Sequence, residues 1–333
     1  MTSVGEHPKG QASVNERLKE VAAVGSEIPE TGWAYHDGSF RPLADAHVSI
    51  ATHALNYGTG VFEGIRAYWN AREEQLYVFR LREHFERMTQ SCRILRIELP
   101  AGPEKLSELT VELLRRDQLR TDAYVRPLAY KAARTIKVQL ADLRSGFAMF
   151  AFPLGAYLPL NGLTARTASW RRISDDALPA RGKITGAYVN TALATDDAYE
   201  THADEAIFLT RDGHVSEGGS SNIFVVRDGE LITPAVTDDI LEGITRASLM
   251  TLAREELGLR VTERSIDRTE LYVVDEIFFS GTGAQVAPCV AVDGRKVGDG
   301  TIGPVARSLG ELYTAIARGD DARRPAWRTP VYR

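Results

Sequence analysis

With 333 residues the chain is long enough to bury a large core and to form two domains rather than one. A hydrophobic content of 44% and a charged content of 26% are those of an ordinary globular protein, and a formal net charge of -5 argues against nucleic acid as a partner, because phosphate backbones call for a basic face. The first thirty residues lack the basic start and apolar core of a signal peptide, and the apolar run 146–160 is interrupted by Pro153 and too short to cross a bilayer, so a cytoplasmic protein without a membrane partner is expected.

In chain order, Ser13-Val14-Asn15-Glu16 has capping-box spacing and opens a helical stretch to about Val24, an extension over residues 1–30. From Trp33 the pattern alternates, and Asp37-Gly38 before Phe40 predicts a hairpin. The stretch His53 to Tyr68 is dense in glycine and aromatics. Its G-x-G-x-x-x-G spacing is one residue off the dinucleotide fingerprint and lies at no strand-to-helix switch, which excludes a Rossmann reading. The glycines beside Tyr57 and Phe62 either let backbone pass close to a bound molecule or form turns and bulges.

A strand over 76–80 leads into an amphipathic helix over 82–95, with Phe85, Met88 and Ile94 on its apolar face and Arg87 as a surface charge or a phosphate ligand. A second helix covers 104–116. Alternation over 123–130 puts Tyr124 and Arg126 on one strand face, an anion receiver or an edge-strand pair. Residues 131–145 show neither period and read as a long loop, functional or disordered. A buried strand over 146–152 and a proline-bracketed connection from Pro153 to Pro159 follow. The predicted division is a domain over 31–151, a linking loop over 152–163 and a domain over 164–333.

The second half opens with a strand over 164–170, the stretch Arg181-Gly182-Lys183-Ile184-Thr185-Gly186, a helix over 187–201 and a strand over 204–210. Asp212-Gly213 and Asp228-Gly229 are hairpin signals flanking Ser216-Glu217-Gly218-Gly219-Ser220-Ser221-Asn222, which sets Glu217 between strands of a meander. Leu241 to Arg246 opens a periodic helix running to Glu256. Phe278 to Ala284 is a glycine- and threonine-bearing turn, and both segments are of the kind that offers backbone N–H groups to phosphate or carboxylate. The last helix spans 304–318, and the polar tail beyond Gly319 is expected to be mobile.

Cys92 and Cys289 lie in apolar-periodic stretches and read as buried thiols, with neither disulfide nor thiolate metal site. The seven histidines are scattered without ligand spacing, so no metal is expected, and Gly218-Gly219-Ser220-Ser221 is not a hydrolase elbow. Of 40 basic residues only seven are lysine, so arginine serves wherever a plain positive charge will do. After residue 150 only Lys183 and Lys296 remain, and Lys296 sits in an Asp-Gly turn. Lys183 therefore suits a task closed to arginine, Schiff-base formation, with Glu217 as a carboxylate that keeps a pyridine nitrogen protonated. That pairing points to pyridoxal 5'-phosphate as cofactor.

The runs Y-G-T-x-V-F-E-G-I-R from Tyr57, Y-V-R-P-L from Tyr124, S-E-G-x-x-x-N from Ser216, L-x-G-I-T-R from Leu241 and S-G-T from Ser280, taken in order with Lys183, make the chain resemble the branched-chain-amino-acid aminotransferases of the fold-type IV pyridoxal-phosphate family over residues 33–318. The resemblance implies an α+β fold with a smaller N-terminal α/β domain and a larger C-terminal pseudo-barrel domain. It implies Lys183 as Schiff-base lysine and proton shuttle, Tyr188 on the cofactor's phenolic oxygen and Glu217 on its pyridine nitrogen. Arg87, Ile244, Thr245 and Thr282 would hold the phosphate, with Leu241 against the ring. Tyr124, Thr282 and Gly283 would meet the substrate carboxylate, and Tyr57, Phe62, Arg126 and Tyr157 would line the side-chain pocket. The implied reaction moves the amino group of leucine, isoleucine or valine to 2-oxoglutarate, giving branched-chain 2-oxo acids and glutamate, in a homodimer or larger homo-oligomer.

Two departures stand out. Leu154 fills the third position of F-P-x-G-A-Y, where bacterial relatives often place tryptophan, and the loop 131–145 lacks the glycine-rich form usual there. A shifted substrate range (bulky or aromatic amino acids, D-amino acids or (R)-amines) is the alternative within the family, together with an aminodeoxychorismate lyase. A non-catalytic cofactor-binding protein is the alternative outside it. Retention of Lys183, Tyr188 and Glu217 together speaks against the last.

Overall fold

Asp37 and Gly38 both take positive φ and close the predicted hairpin of β1 (Trp33–His36) and β2 (Ser39–Pro42), as a two-residue turn of that hand requires. The computed structural model describes residue 28 and residues 31–332, and the helix expected over 13–24 lies outside the described residues. Next come α1 (His53–Tyr57), β3 (Gly60–Phe62), β4 (Ile65–Asn70), β5 (Gln75–Phe79), α2 (Leu81–Ile94), α3 (Pro103–Asp117), β6 (Ala123–Lys131) and β7 (Ser145–Pro153). In β6 the alternation sorts the two faces. Ala123, Val125 and Ala129 join the core under α2 and α3, whereas Tyr124, Arg126 and Leu128 turn toward a cavity.

In the second half β8 (Leu163–Arg171), α4 (Tyr188–Glu200) and β9 (Glu205–Leu209) form a parallel strand–helix–strand unit. Ala168, Ala194, Ala198, Ala203 and Ala206 meet between them around Phe208, and these small side chains let α4 seat closely on the strands. The chain continues through β10 (Val215–Gly218), β11 (Asn222–Arg227), β12 (Glu230–Thr233), α5 (Ile244–Glu255), β13 (Val261–Glu263), β14 (Glu276–Gly281), β15 (Gln285–Val292), β16 (Arg295–Lys296), α6 (Pro304–Arg318) and β17 (Arg328–Pro330). Among the described residues one sheet runs β17-β5-β4-β6-β7-β1-β2 with β3 on β6, and the other runs β10-β9-β8-β15-β14-β11-β12-β13 with β16 on β15. Tyr68 of β4 and Tyr313 of α6, both buried, join the two halves through a 3.1 Å hydroxyl pair.

Three expectations need correction. The tail beyond Gly319 is not loose: β17 pairs antiparallel with β5, Val331 is buried, and the N–H groups of Val331 and Tyr332 donate to Gln75 Oε1 at 3.1 and 2.8 Å. The helix placed from Leu241 starts at Ile244, because Leu241 spends its N–H on Glu217 and its carbonyl on Asn222, which holds residues 241–243 outside the helix. Glu217 lies within β10 itself, at an extra residue in the β9–β10 register between Val215 and Gly218. Such bulges re-aim a side chain.

Candidate active site

A cavity of about 600 Å³ opens between the two sheets, and Lys183 is the one lysine among the residues that line it. Its backbone is clamped on both sides: Phe62 N–H donates to the Lys183 carbonyl at 3.1 Å, and Lys183 N–H donates to Ser91 Oγ at 3.1 Å. Its Nζ lies 2.5 Å from Tyr188 Oη, 4.8 Å from the Phe62 ring centroid and 5.1 Å from that of Tyr188. An amine held against two ring faces has little freedom to leave the cavity.

Glu217, buried, lines the same cavity. Its Oε1 meets Arg172 Nη2 at 2.8 Å, and its Oε2 accepts from Asn222 Nδ2 at 3.0 Å and from the Leu241 N–H at 3.1 Å. Burial pushes its pKa up and makes it a weaker acid, while Arg172, the Leu241 amide and Lys183 work to keep the carboxylate charged. Arg172 and Asn222 were given no role by sequence reasoning. Arg172 follows Arg171 at a strand end and looks like solvated charge, and only its pairing in space marks it.

Arg87 also faces the cavity, but its orientation is set by Glu63, again unassigned from sequence. Arg87 Nε and Nη2 donate to the two Glu63 oxygens at 2.8 and 2.7 Å, Nη1 donates to the Glu242 carbonyl at 2.9 Å, and His84 Nδ1 sits 2.8 Å from Glu63 Oε2. Burial alone would raise the Glu63 carboxyl, but Arg87 and His84 outweigh it and hold the group well below the usual carboxylate range. Three of the five guanidinium donors are thereby used, leaving two for an anion.

Beside Arg87 the N-terminus of α5 presents Gly243, Ile244 and Thr245 to the cavity without a side-chain cap, so its first N–H groups are open to an anion. Ser280, Gly281, Thr282 and Gly283 line the same cavity, and the buried Ser280 Oγ has no partner among the described residues. An uncapped helix end, an arginine with spare donors and an orphaned hydroxyl lining one cavity fit a phosphate. With Lys183 and Glu217 facing the same space, the set fits pyridoxal phosphate. No group of three His, Cys, Asp or Glu side chains able to hold a metal occurs among the described residues.

The remaining predicted residues also gather here, with one exception. Phe62 packs edge-on against Tyr188 at 4.7 Å, and the Arg126 guanidinium lies 4.6 Å from the Phe62 centroid and donates to Tyr124 Oη at 3.2 Å. Arg126 Nε is buried without a partner among the described residues. Leu154, Tyr157 and Leu241 complete the wall. The glycine of F-E-G-I-R is explained by Tyr124: a Cβ on Gly64 would collide with its hydroxyl, so the close approach is by the chain's own ring. Tyr57 is the exception and does not line the cavity. Its hydroxyl donates to the Ile136 carbonyl at 2.9 Å, and its ring tilts against His53 at 4.7 Å. A second cleft of about 660 Å³, lined by Asp37, Arg96, Lys131 and Arg144, contains none of these groups.

The sequence matches the family described as Amino-transferase class IV over residues 60–292. A protein of Aquifex aeolicus named "Probable branched-chain-amino-acid aminotransferase" is 44% identical over 301 residues, covering 90% of this chain and 97% of that protein. Among solved structures, the branched-chain aminotransferase of the thermophilic archaeon Thermoproteus uzoniensis with norvaline gives a TM-score of 0.87 at 41% identity, covering 91% of this chain and 100% of that one. The branched-chain amino acid aminotransferase of Thermobaculum terrenum in its PLP-bound holo form gives 0.87 at 36%, covering 92% and 100%. On likeness of this extent in both sequence and fold, the chain belongs to the class IV aminotransferase family, as a fold-type IV member alongside the branched-chain-amino-acid aminotransferases.

Proposed function

We propose that this protein is a pyridoxal-phosphate-dependent aminotransferase that moves the amino group of leucine, isoleucine or valine to 2-oxoglutarate. The observation that carries the reading is that Lys183 and a buried, arginine-paired Glu217 line one cavity. When bound, the cofactor would supply an aldehyde carbon able to accept and return an amino group and an electron-withdrawing ring that stabilises the charge left at the substrate Cα. Lys183 would anchor the cofactor through its amine and, as a free amine, would carry the proton to and from the substrate Cα. Tyr188 orients the amine through its 2.5 Å contact. Glu217 supplies negative charge to the ring nitrogen, and Arg172 and Asn222 keep it in place. Arg87, the α5 N-terminus at Ile244 and Thr245, and the turn at Thr282 hold the phosphate, with Leu241 beside the ring. Tyr124 and the backbone at Thr282 and Gly283 receive the substrate carboxylate. Phe62, Leu154 and Tyr157 make an apolar side-chain wall, while the free Arg126 donor allows the same pocket to take glutamate. The test is an amino-donor panel with 2-oxoglutarate, in which branched-chain L-amino acids should lead. Absence of turnover with every L-amino acid would overturn the reading.

Leu154 bears on the range of that panel. Leucine in place of a flat, rigid ring leaves room beside the substrate side chain, and one methylene-sized volume shifts selectivity by roughly 1–3 kcal/mol. The wild type should therefore also accept bulkier donors such as phenylalanine, and Leu154→Trp should lose these first. Loss of valine and leucine turnover with retention of aromatic donors would remove Leu154 from the side-chain wall.

The assembly is proposed to be a homodimer or larger homo-oligomer. Ile50 and Leu55 around α1, Ile136 and Val138 of the long loop, and Val189 of α4 are exposed, Ile136 by 87% and Val138 by 77%. The loop is tied to α1 through Thr52, His53 and Tyr57, and α1 meets the start of α4 where Gly186 N–H donates to the Gly58 carbonyl at 3.2 Å. An apolar face of this kind is a site of association, and burying one such side chain contributes roughly 1.5–3 kcal/mol. Sedimentation should give a dimer or larger species at micromolar concentration, and Val138→Asp should raise the dissociation constant by about tenfold or more. A fully active wild-type monomer would contradict this. A cytoplasmic location belongs to the same reading, since the two buried free thiols suit a reducing compartment. No helix among the described residues is long and apolar enough to cross a membrane.

A further inference from the structure

We propose that Glu205 is a positioning residue for Glu217, acting through the turn Gly218 to Asn222. Glu205 begins β9, is 4% exposed, and takes part in no ion pair among the described residues. Its Oε1 accepts from the N–H groups of Ala206 and Gly219 at 2.9 and 3.1 Å, and its Oε2 accepts from Ser221 Oγ at 3.4 Å. All three partners are donors, and an ionised carboxylate offers acceptors alone. The same turn is pinned from α4 by Thr191 Oγ1, which donates to the Gly219 carbonyl at 2.9 Å, and is closed by Gly218 N–H on the Ser221 carbonyl at 2.7 Å.

At its far end the turn delivers Asn222, whose Nδ2 bridges Glu217 Oε2 and the Leu241 carbonyl. Glu205 thus lies one turn behind the carboxylate that faces Lys183. The fit is close: a Cβ on Gly219 would stand 2.7 Å from Glu205 Oε1 and 3.0 Å from Thr195 Oγ1, although the backbone there has no positive φ to bar alanine. Burial pushes the Glu205 carboxyl up to about 7 despite its hydrogen bonds. A group so costly to bury is retained here where an apolar residue would leave three donors, two of them backbone amides, unpaired.

Positioning stands apart from the reading of Glu217 at the cofactor's ring nitrogen; only its effect on turnover rests on that reading. The test compares Glu205→Ala, Glu205→Gln and Gly219→Ala. Amide exchange over residues 218–222 and the ¹³C titration of the Glu217 carboxyl are followed in the cofactor-free protein, and kcat and KM for leucine in the holoenzyme. In Glu205→Ala and Gly219→Ala, exchange should quicken by roughly tenfold or more and the Glu217 carboxyl should titrate at higher pH. Turnover should fall while KM stays within about twofold. Glu205→Gln keeps the oxygen for both amides and can donate to Ser221 Oγ, so it should remain within about threefold of the parent on every measure. Should Glu205→Ala not fold, Gly219→Ala decides on the same readouts, since it displaces the carboxylate without removing it. Unmoved exchange and an unmoved Glu217 titration, with only the melting temperature lowered, would overturn the proposal, as would a glutamine variant as impaired as the alanine one. A moved Glu217 with undiminished kcat would support the positioning and overturn the role of Glu217 in turnover.

Discussion

Lys183→Ala is expected to abolish transamination while leaving the fold intact. Loss of the proton carrier alone costs roughly 10²–10⁴-fold, and loss of the covalent anchor adds to it. No neighbour can substitute: the other basic side chains on the cavity wall, Arg87, Arg126 and Arg172, are guanidinium groups that neither form the link nor release a proton at ordinary pH. The fold should persist because the backbone of residue 183 is held by Phe62 and Ser91, and the side chain contributes one hydrogen bond, to Tyr188. A single hydrogen bond of that kind is worth at most about 3 kcal/mol. Borohydride reduction and peptide mapping should place the cofactor on Lys183 in the wild type and on no residue in the variant. Turnover with L-amino acids by the variant, or a labelled peptide lacking residue 183, would refute the assignment.

Local signals were legible where a single element obeyed its own period. The hairpin at Asp37-Gly38, the alternation that put Tyr124 and Arg126 on one face of β6, and the helix 304–318 follow from turn chemistry and apolar spacing, and the structure agrees with each. What escaped was set by contacts between distant segments. Glu63 reads as an ordinary charge in F-E-G-I-R until α2 brings Arg87 and His84 onto it, and Arg172 until the bulge in β10 turns Glu217 toward it. The C-terminal strand β17 is three residues long with two polar members. Its place is fixed by the open edge of β5 and by Gln75, some 250 residues earlier in the chain, which no local pattern reveals. Tyr57 shows the reverse case within one protomer. The motif sets it at the side-chain pocket, and in the single chain its hydroxyl donates to the Ile136 carbonyl on the apolar face proposed to meet another subunit.

Glu217→Gln should reduce kcat by about 10²-fold or more, equivalent to roughly 2.7 kcal/mol at 1.36 kcal/mol per decade. The amide keeps the shape of the carboxylate but removes the charge that favours a protonated ring nitrogen. It also cannot satisfy both sides of the site. With its oxygen toward Asn222 and the Leu241 N–H, its NH₂ meets Arg172 donor to donor, and Arg172, with a side chain 10% exposed, keeps only a 3.3 Å bond to the Asp239 carbonyl. Breaking a buried pair in this way costs about 3–5 kcal/mol of stability, so lost turnover alone would be ambiguous. A second change separates the two effects. Arg172→Leu in the Glu217→Gln background removes the orphaned charge and should restore much of the melting temperature, while kcat remains low because no negative charge faces the ring nitrogen. Turnover that recovers together with stability in the double variant would mean that the Glu217 charge serves the fold, and that the ring nitrogen takes its proton from elsewhere.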